Sequence, residues 1–244
     1  MRPPTVVVSA EALAGESLEL RGETYRHLFR SRRLPAGARL RLVDGRGRAR
    51  WGEVATVSSR RAGVTLGETA PNNEPALAVE LWVALPRPRR ASWLVEKATE
   101  VGVAAIRWVD SSRGGRDLSA AALERHLRIA RAAVEQSGRA TVPRITGLHG
   151  LDELLGEPVR TVPTWVLDRE EGVPIDRGRL AGASAVRFVV GPEGGFEPDE
   201  IGGLIDAGAT GLSLGSRVLR VETAAVLAVG LVLATAGDGS PEAL

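Results

Sequence analysis

Two glycine-containing loops near the end of the chain could bind a ligand through their main-chain atoms. The first, "GPEGGF" at residues 191–196, follows the apolar run "VRFVV", and the second, "LGSRVLRVETA" at residues 214–224, follows "TGLS". Glycine has no Cβ, so a ligand can lie directly against main-chain N–H and C=O groups, an arrangement that suits an adenine edge or a ribose. The same glycines are also expected in tight strand-to-helix turns, so this feature alone leaves both interpretations open.

The second loop adds charge to this pattern. Arg217 and Arg220 flank the apolar pair Val218 and Leu219, and Glu222 follows at a predicted helix start. An arginine pair beside a helix N-terminus can bind an anion or an RNA phosphate. An ion pair that only stabilises the fold is the alternative role for Arg220 and Glu222.

Several other kinds of chemistry have no support in the sequence. The chain has no cysteine, and its three histidines, His27, His126 and His149, are not spaced as metal ligands, so no metal site is predicted. The sequence contains no G-x-S-x-G nucleophile elbow, no P-loop and no strand-linked G-x-G-x-x-G fingerprint. The sequence therefore lacks the motifs that usually indicate an ordinary hydrolase, a P-loop NTPase or a Rossmann-fold protein.

The part of the chain that contains both loops alternates between apolar strands and amphipathic helices. "VELWVAL", "AAIRWVD", "TWVLD" and "VRFVV" are short apolar runs, typical of strands that are covered on both faces. Helices are predicted over "SWLVEKATEVG", with Ser92 as N-cap, over "LSAAALERHLRIARAAVEQSG" and over "PDEIGGLIDAG". This alternation predicts an α/β fold with a parallel sheet, and ligands bind such sheets at the carboxyl ends of the strands, where both loops lie.

The N-terminal third differs in charge and in pattern. Residues 1–75 contain 13 arginines and 8 acidic residues, a net charge of +5, whereas the whole chain has a net charge of only +2. "ARLRLVDGRGRARWGEVATV" predicts two strands joined by a turn at Asp44 and Gly45, and several such strands indicate a small β-barrel. The basic excess predicts that this part contacts a polyanion.

The turn-rich segment "ETAPNNEPALA" predicts the boundary between two domains, residues 1–73 and residues 74–244. Hydrophobic residues make up 43% of the 244 residues, and the longest apolar stretch, 223–236, is too short to span a membrane. The N-terminus lacks the apolar core of a secretory signal. We therefore expect a cytoplasmic protein with no membrane partner.

Five stretches together resemble one known family. "GPEGGFEPDEI", "LGSRVLRVETAAV", "WLVEKATEVGV", "AVEQSGRATVP" and the N-terminal "MRPP" with "RHLFRSRRLPAG" occur in the order found in the RsmE family of 16S rRNA (uracil-N3)-methyltransferases. That family belongs to the SPOUT superfamily, which uses S-adenosylmethionine. The resemblance covers nearly the whole chain.

The resemblance implies a specific architecture. It implies an N-terminal PUA-like β-barrel that helps to bind RNA and a C-terminal SPOUT parallel-sheet domain with a trefoil knot, a rare exception to unknotted topology. The loop after "TWVLD" and the two glycine-containing loops would hold S-adenosylmethionine in a homodimer whose sites lie near the subunit interface. The implied cofactor-binding residues are Leu167, Gly191, Pro192, Glu193, Gly194, Gly195, Leu214, Gly215, Ser216, Val218, Leu219, Thr223 and Ala224.

Some positions depart from the family pattern. Ser31 and Arg32 replace a usual Val-Leu pair, Arg87 replaces a lysine, Ser216 replaces a common proline and Val221 a common threonine. These changes affect the expected loop geometry rather than the class of ligand.

The implied reaction is attack of uridine N3 on the sulfonium methyl group, within 16S rRNA of the small ribosomal subunit. Because N3 must lose a proton, Arg220 is predicted to stabilise the uracil anion and Glu222 to handle the proton. The predicted RNA-binding residues are Arg2, His27, Arg30, Arg33, Arg46, Arg48, Arg87, Arg113 and Arg116. A SPOUT enzyme of other specificity, such as ribose 2′-O methylation, and a non-catalytic RNA-binding protein are the alternatives.

Overall fold

The computed structural model describes residues 3–156, 162–167, 172–175 and 178–237. Contacts divide the chain into two compact units: Met1–Glu74 with Arg131–Val142, and Pro75–Ala130 with Pro143–Leu244. None of the helices in the described ranges has the length and apolar character needed to cross a membrane.

The secondary structure follows the predicted change from strand-rich to alternating. In the described ranges the strands are β1 (Thr5–Val7), β2 (Ser17–Arg21), β3 (Arg39–Val43), β4 (Ala49–Val57), β5 (Arg61–Thr69), β6 (Ala78–Ala84), β7 (Ala105–Asp110), β8 (Arg144–Gly150), β9 (Thr164–Leu167), β10 (Ala185–Val190) and β11 (Thr210–Leu212). The helices are α1 (Ala10–Ala14), α2 (Gly22–Tyr25), α3 (Pro88–Val101), α4 (Ala120–Ser137), α5 (Leu151–Gly156), α6 (Pro198–Asp206) and α7 (Val221–Ala236). A π-helix (Arg26–Ser31) and a 3₁₀ turn (Gly178–Leu180) complete them.

The N-terminal unit is built on a curled half-barrel sheet in the order β1-β3-β4-β5-β2. β1 pairs in parallel with β3, and the other neighbours are antiparallel. Alternate residues such as Leu40, Leu42, Val54 and Val64 point into its core, as the strand period of two requires. The turn predicted at Asp44 and Gly45 joins β3 to β4, since these strands pair with each other.

The segment Arg131–Val142 packs with the N-terminal unit although it follows residue 73 in the chain. Glu135 accepts a 2.9 Å hydrogen bond from the main-chain N–H of Val7, and Arg139 Nη2 lies 2.6 Å from Glu74 Oε2. Arg139 is 4% exposed, so this ion pair is largely removed from water. The "EQSGR" stretch therefore contacts both the first strand of this unit, at Val7, and the end of its N-terminal segment, at Glu74. The division into residues 1–73 and 74–244 stays a prediction.

The C-terminal unit contains a six-stranded parallel sheet in the order β11-β9-β10-β6-β7-β8. Successive residues of β6 and β10 are buried, so both faces of the sheet are covered, as the apolar runs predict. α6 packs on the face that contains Trp82, Val166 and Val189, and α7 packs along α3 and contacts β6 and β10. The α/β class and the parallel sheet are confirmed. The trefoil knot stays a prediction.

The start of α3 differs from the prediction. The helix begins at Pro88 with Arg87 as the capping residue, and Ser92 lies inside it, where its hydroxyl donates to the carbonyl oxygen of Pro88. Proline favours the first helical position because its φ is already helical and its missing N–H would have no partner there. The earlier start brings Arg90 into the first turn of α3, at the carboxyl edge of the sheet.

Candidate active site

A cavity of about 930 Å³ lies at the carboxyl edge of the parallel sheet. It is bounded by the loops that follow β10 and β11, by the end of β9 and by one side of α6. This is the position at which open α/β sheets bind ligands. Of the predicted cofactor-binding residues, those that line the cavity are Leu167, Gly191, Pro192, Glu193, Gly194, Gly195, Leu214, Gly215, Val218, Leu219 and Ala224.

Two predicted cofactor residues do not line the cavity. Ser216 and Thr223 are exposed and lie outside the described lining. The assignment of all thirteen residues to a cofactor stays a prediction, and the structure locates eleven of them around one space.

The structure explains why two positions in the first loop require glycine. Gly195 has a φ of +74°, which side chains other than that of glycine rarely adopt. A Cβ at Gly191 would lie 2.9 Å from the ring of Phe196, which is too close for a real contact. Part of the glycine content is therefore required by the turn itself, as the turn interpretation expects.

The cavity also has properties that fit a nucleoside cofactor. Apolar side chains such as Leu167, Leu212 and Ile201 form its walls, while the glycine loop contributes main-chain groups. A Cβ at Gly195 or Gly202 would meet nothing within 4 Å, so the space in front of these main-chain atoms is open. The volume lies within the range of about 300–1,000 Å³ that is common for ligand sites. The residues present therefore fit a ligand with a flat heterocycle and a ribose.

Arg113, from the loop after β7, fixes the glycine loop. Its Nη1 donates a 2.7 Å hydrogen bond to the carbonyl oxygen of Gly194, and its Nε and Nη2 donate to the two carboxylate oxygens of Glu197 at 2.6 and 2.8 Å. A bidentate arginine–carboxylate pair has a defined orientation as well as strength. The sequence predicts that Arg113 binds RNA, whereas the structure places its guanidinium on the glycine loop and in the cavity lining.

Glu200 extends this network to the start of α6. Its Oε1 accepts hydrogen bonds from the N–H and the hydroxyl of Ser112, and its Oε2 accepts one from the N–H of Glu197 in a capping box. Partial burial opposes the charge of Glu200, but the hydrogen bonds from Ser112 and Glu197 and the nearby Arg113 hold its pKa below its usual range. The loop after β7 and the glycine loop are thereby joined by charge-assisted hydrogen bonds.

Arg90 is a site residue that the sequence analysis did not identify. It forms an ion pair with Glu193 of the glycine loop, and its Nε lies 3.6 Å from Oε1 of Glu222 in the first turn of α7. The available signal is position, because "PRPRR" begins two residues after the end of β6, the strand next to β10 in the sheet. One arginine from α3 thus contacts both loops that carry the predicted site.

The two predicted catalytic residues lie beside the cavity rather than in its lining. Glu222 is 7% exposed, and its Oε2 is buried and has no hydrogen-bond partner within the part of the chain that the structure describes. Arg220 is exposed at the capping position of α7, between Leu219 and Val221, which both line the cavity. Their catalytic roles stay predictions. Arg217, the other arginine of this loop, does line the cavity.

The other predicted RNA-binding residues occupy separate places. Arg2 lies outside the described residues. His27 and Arg30 are exposed on the π-helix, and Arg33 is exposed just after it. Arg46 and Arg48 are exposed at the turn between β3 and β4, whereas Arg87 precedes α3 and Arg116 belongs to the loop after β7. None of the described residues form a group of three or more histidine or acidic side chains that could hold a metal ion.

Comparisons with known proteins agree with this arrangement. The RNA methyltransferase domain family matches residues 72–233, and the RNA methyltransferase PUA domain family matches residues 20–66. The first match covers the parallel-sheet unit with its cavity. The second falls in the half-barrel sheet and confirms the predicted PUA-like domain.

Individual relatives share most of their length with this chain. Ribosomal RNA small subunit methyltransferase E of Mycobacterium bovis is 35% identical over 84% of this chain and 82% of its own length. The protein of that name from Bacillus subtilis is 27% identical over 88% of this chain and 89% of its own. A crystal structure of ribosomal RNA small subunit methyltransferase E from Neisseria gonorrhoeae bound to S-adenosyl methionine superposes with a TM-score of 0.87, at 27% identity, over 96% of this chain and 98% of that one.

The cavity at the carboxyl edge of the parallel sheet, the PUA domain and the near full-length similarity lead to one conclusion. The chain belongs to the RNA methyltransferase domain family and, within it, to the ribosomal RNA small subunit methyltransferase E family.

Proposed function

We propose that this protein is an S-adenosylmethionine-dependent rRNA methyltransferase whose target is N3 of a uridine in 16S rRNA of the small ribosomal subunit. The observation that carries the proposal is the glycine-lined cavity at the carboxyl edge of a parallel sheet, in a chain of this family. The relative from Neisseria gonorrhoeae, which binds S-adenosyl methionine, has the same fold over nearly its whole length. The choice of uridine N3 rests on the family resemblance of the motifs.

The cofactor would be held mainly by main-chain atoms and apolar walls. The glycine loop and Gly215 would supply N–H and C=O groups, and Leu167, Leu214 and Leu219 would cover a heterocycle. When bound, S-adenosylmethionine supplies a methyl group that its sulfonium makes electrophilic. The protein then has to hold the target base in line, exclude water and move one proton.

The proton is on N3 of the uridine, and it must leave when the N–C bond forms. We assign its acceptance to the carboxylate of Glu222, directly or through a water molecule, because that side chain is buried and one of its oxygens is free of hydrogen bonds among the described residues. Arg220 would stabilise the negative charge that develops on the uracil oxygens. Arg90 would hold Glu222 in place through its other oxygen.

The protein would act as a homodimer. Trp93 of α3 and Leu227 and Leu231 of α7 are 42%, 45% and 41% exposed, although α3 and α7 pack against each other. Apolar side chains on adjacent helices make a surface suited to a second copy. α7 begins with residues that line the cavity, so this interface would lie beside the site. Leu227→Asp should convert a dimer in sedimentation experiments into a monomer.

The assembled small subunit in the cytoplasm would be the substrate, because folded rRNA can present a single splayed-out uridine. Transfer of a labelled methyl group to small subunits that lack the modification tests the proposal. Labelled rRNA is the expected result. A 2′-O-methylated ribose as the product would mean that the cofactor is as proposed but the target atom is different. Failure of the protein to bind S-adenosylhomocysteine would leave it only an RNA-binding role.

A further inference from the structure

Basic residues collect at one end of the N-terminal sheet. This surface, here called the π-helix end, consists of Arg26, Arg30, Arg32, Arg33 and Arg60. The first four belong to the π-helix or follow it, and Arg60 lies at the tip of the hairpin between β4 and β5.

Two hydrogen bonds hold the π-helix against the hairpin tip. The hydroxyl of Tyr25 donates to the carbonyl oxygen of Ser58 at 2.6 Å, and Arg30 Nη2 donates to the carbonyl oxygen of Ser59 at 2.8 Å. The arginines of the π-helix and of the two residues after it therefore lie close to the hairpin tip that carries Arg60. This proximity depends on contacts between residues about thirty positions apart in the chain.

The charges of the π-helix end are not neutralised by ion pairs. Within the described residues none of its five arginines forms a salt bridge, and all five are exposed. The neighbouring Arg61 differs, because Glu19 lies 3.3 Å from it. Glu23, in the preceding helical turn, is the acidic residue nearest to this group in the sequence. Five like charges held together in this way attract a polyanion.

The opposite end of the same sheet differs in charge. Arg48 Nε lies 2.7 Å from Oδ2 of Asp44, whose carboxylate is fully buried. The pKa of Glu11 lies below its usual range because of hydrogen bonds with its own main chain and with Ser9, and the charges of Arg46 and Arg48 lower it further. The nine residues of β4 separate the two ends, a span of roughly 25 Å. The two predicted arginine groups therefore cannot contribute to one small patch.

The opposite end is also covered by another segment of the same unit. The N–H of Val142 donates to the carbonyl oxygen of Gly45 at 2.9 Å, and the N–H of Gly47 donates to that of Ala140 at 3.2 Å. The main chain of the turn between β3 and β4 is thus already paired within the protein. It offers fewer free groups to an RNA backbone than the π-helix end does.

The backbone of the π-helix end is unusual. π-Helices are rare and frequently mark functional sites. Arg33 has a φ of +55°, and it is the one residue other than glycine with a positive φ among the described residues. Such conformations cost free energy, and they persist where the surrounding structure and the function require them. Here the result is a series of closely spaced arginines that all reach solvent.

We propose that the π-helix end binds the phosphate backbone of small-subunit rRNA, and that Arg46 and Arg48 at the opposite end do not. This inference rests on the proposed function, because it assumes that the protein binds rRNA. It divides the predicted RNA-binding arginines of the N-terminal unit into two groups and adds Arg26, Arg32 and Arg60 to the group that binds.

Two double variants with the same change in net charge test the proposal. Arg32→Gln/Arg60→Gln removes two charges from the π-helix end, and Arg46→Gln/Arg48→Gln removes two from the opposite end. Binding to isolated small ribosomal subunits is measured by filter retention between 50 and 200 mM salt, and thermal unfolding verifies that each variant is folded. Each lost phosphate contact lowers the slope of log K against log salt by about 0.7–0.9.

The first variant should lower the slope by about 1.4–1.8 and weaken binding roughly tenfold at 50 mM salt. The second should change the affinity by less than about twofold, because its residues contact no phosphate. Equal losses from both variants, or a larger loss from the second, would overturn the inference while leaving the proposed function intact. Failure of the unaltered protein to bind the subunits would remove the proposed function and this inference with it.

Discussion

Arg113 donates a 2.7 Å hydrogen bond to the carbonyl oxygen of Gly194, and the same guanidinium holds both carboxylate oxygens of Glu197. Arg113 belongs to the loop after β7, and Gly194 to the loop after β10, so the contact joins residues 81 positions apart. It fixes the direction of a main-chain carbonyl at the wall of the cavity. A side chain outside the glycine loop therefore determines the shape of the predicted cofactor site.

Arg113→Ala should weaken binding of S-adenosylhomocysteine roughly tenfold, because a charge-assisted hydrogen bond contributes about 1.5–3 kcal/mol and the variant loses one to Gly194 of the glycine loop and two to the adjoining Glu197. Calorimetric titration measures the effect. Arg116→Ala, in the same loop but outside the cavity lining, is the control and should bind normally. If Arg113→Ala instead weakened RNA binding and left cofactor affinity unchanged, Arg113 would be an RNA contact.

Gly195→Ala should destabilise the protein by about 1–2 kcal/mol, since its φ of +74° is unfavourable for a residue with a Cβ. Gly203→Ala is a matched control within α6, where a Cβ would make an ordinary contact 3.5 Å from Leu155 and helix propensity would rise. Urea denaturation should thus show opposite signs for the two variants. Equal effects would mean that the turn does not constrain Gly195.

Arg220→Ala should lower kcat by a factor of about 100 or more, the usual loss when a group that stabilises transition-state charge is removed. Because Arg220 does not line the cavity, the affinity for S-adenosylhomocysteine should remain within about twofold. Arg217→Ala, which alters a lining residue, should change cofactor affinity instead. Unchanged turnover of Arg220→Ala with bound cofactor would remove Arg220 from the chemistry.

His126 should make stability depend on pH below about 6.5. The side chain is 3% exposed beside Trp108, and burial, helped by the charge of Arg125, lowers its pKa from the ordinary value of 6.5. As pH falls below 6.5, the unfolded chain takes up the proton first, so the free energy of unfolding decreases until the folded pKa is reached. Urea denaturation at pH 7.5 and 5.5 measures this decrease.

The variant His126→Phe should lose most of that pH dependence, because phenylalanine can pack against Trp108 and does not titrate. An equally steep decrease in the variant would assign the effect to other groups.

The sequence predicted the parts of the fold that depend on local pattern. Strands β6, β7, β9 and β10 are continuous apolar runs, and each was found within one residue of its predicted start. β8 was missed because "RITGLHG" has only one buried residue and lies at the edge of the sheet, where no apolar run is needed. α3 begins four residues before the predicted N-cap Ser92, because Pro88 rather than Ser92 starts the helix.

The site was predictable only in part, and for a physical reason. Glycines and a nearby strand end indicated where a ligand fits, because these are local features. The roles of Arg90 and Arg113 depend on partners 103 and 81 positions away, which no spacing in the sequence indicates. The exposed arginines of the N-terminal third looked alike in the sequence, and their separation follows from the pairing of β3, β4 and β5.

The most direct measurement is the identity of the methylated nucleoside formed in small ribosomal subunits that lack the modification. The subunits are incubated with the protein and labelled S-adenosylmethionine, the rRNA is digested, and the labelled nucleoside is identified by chromatography and mass. The expected product is N3-methyluridine. A 2′-O-methylated nucleoside would contradict the assigned target atom. If no methyl group is transferred and the protein binds neither the cofactor nor rRNA, that result would contradict the enzymatic function itself.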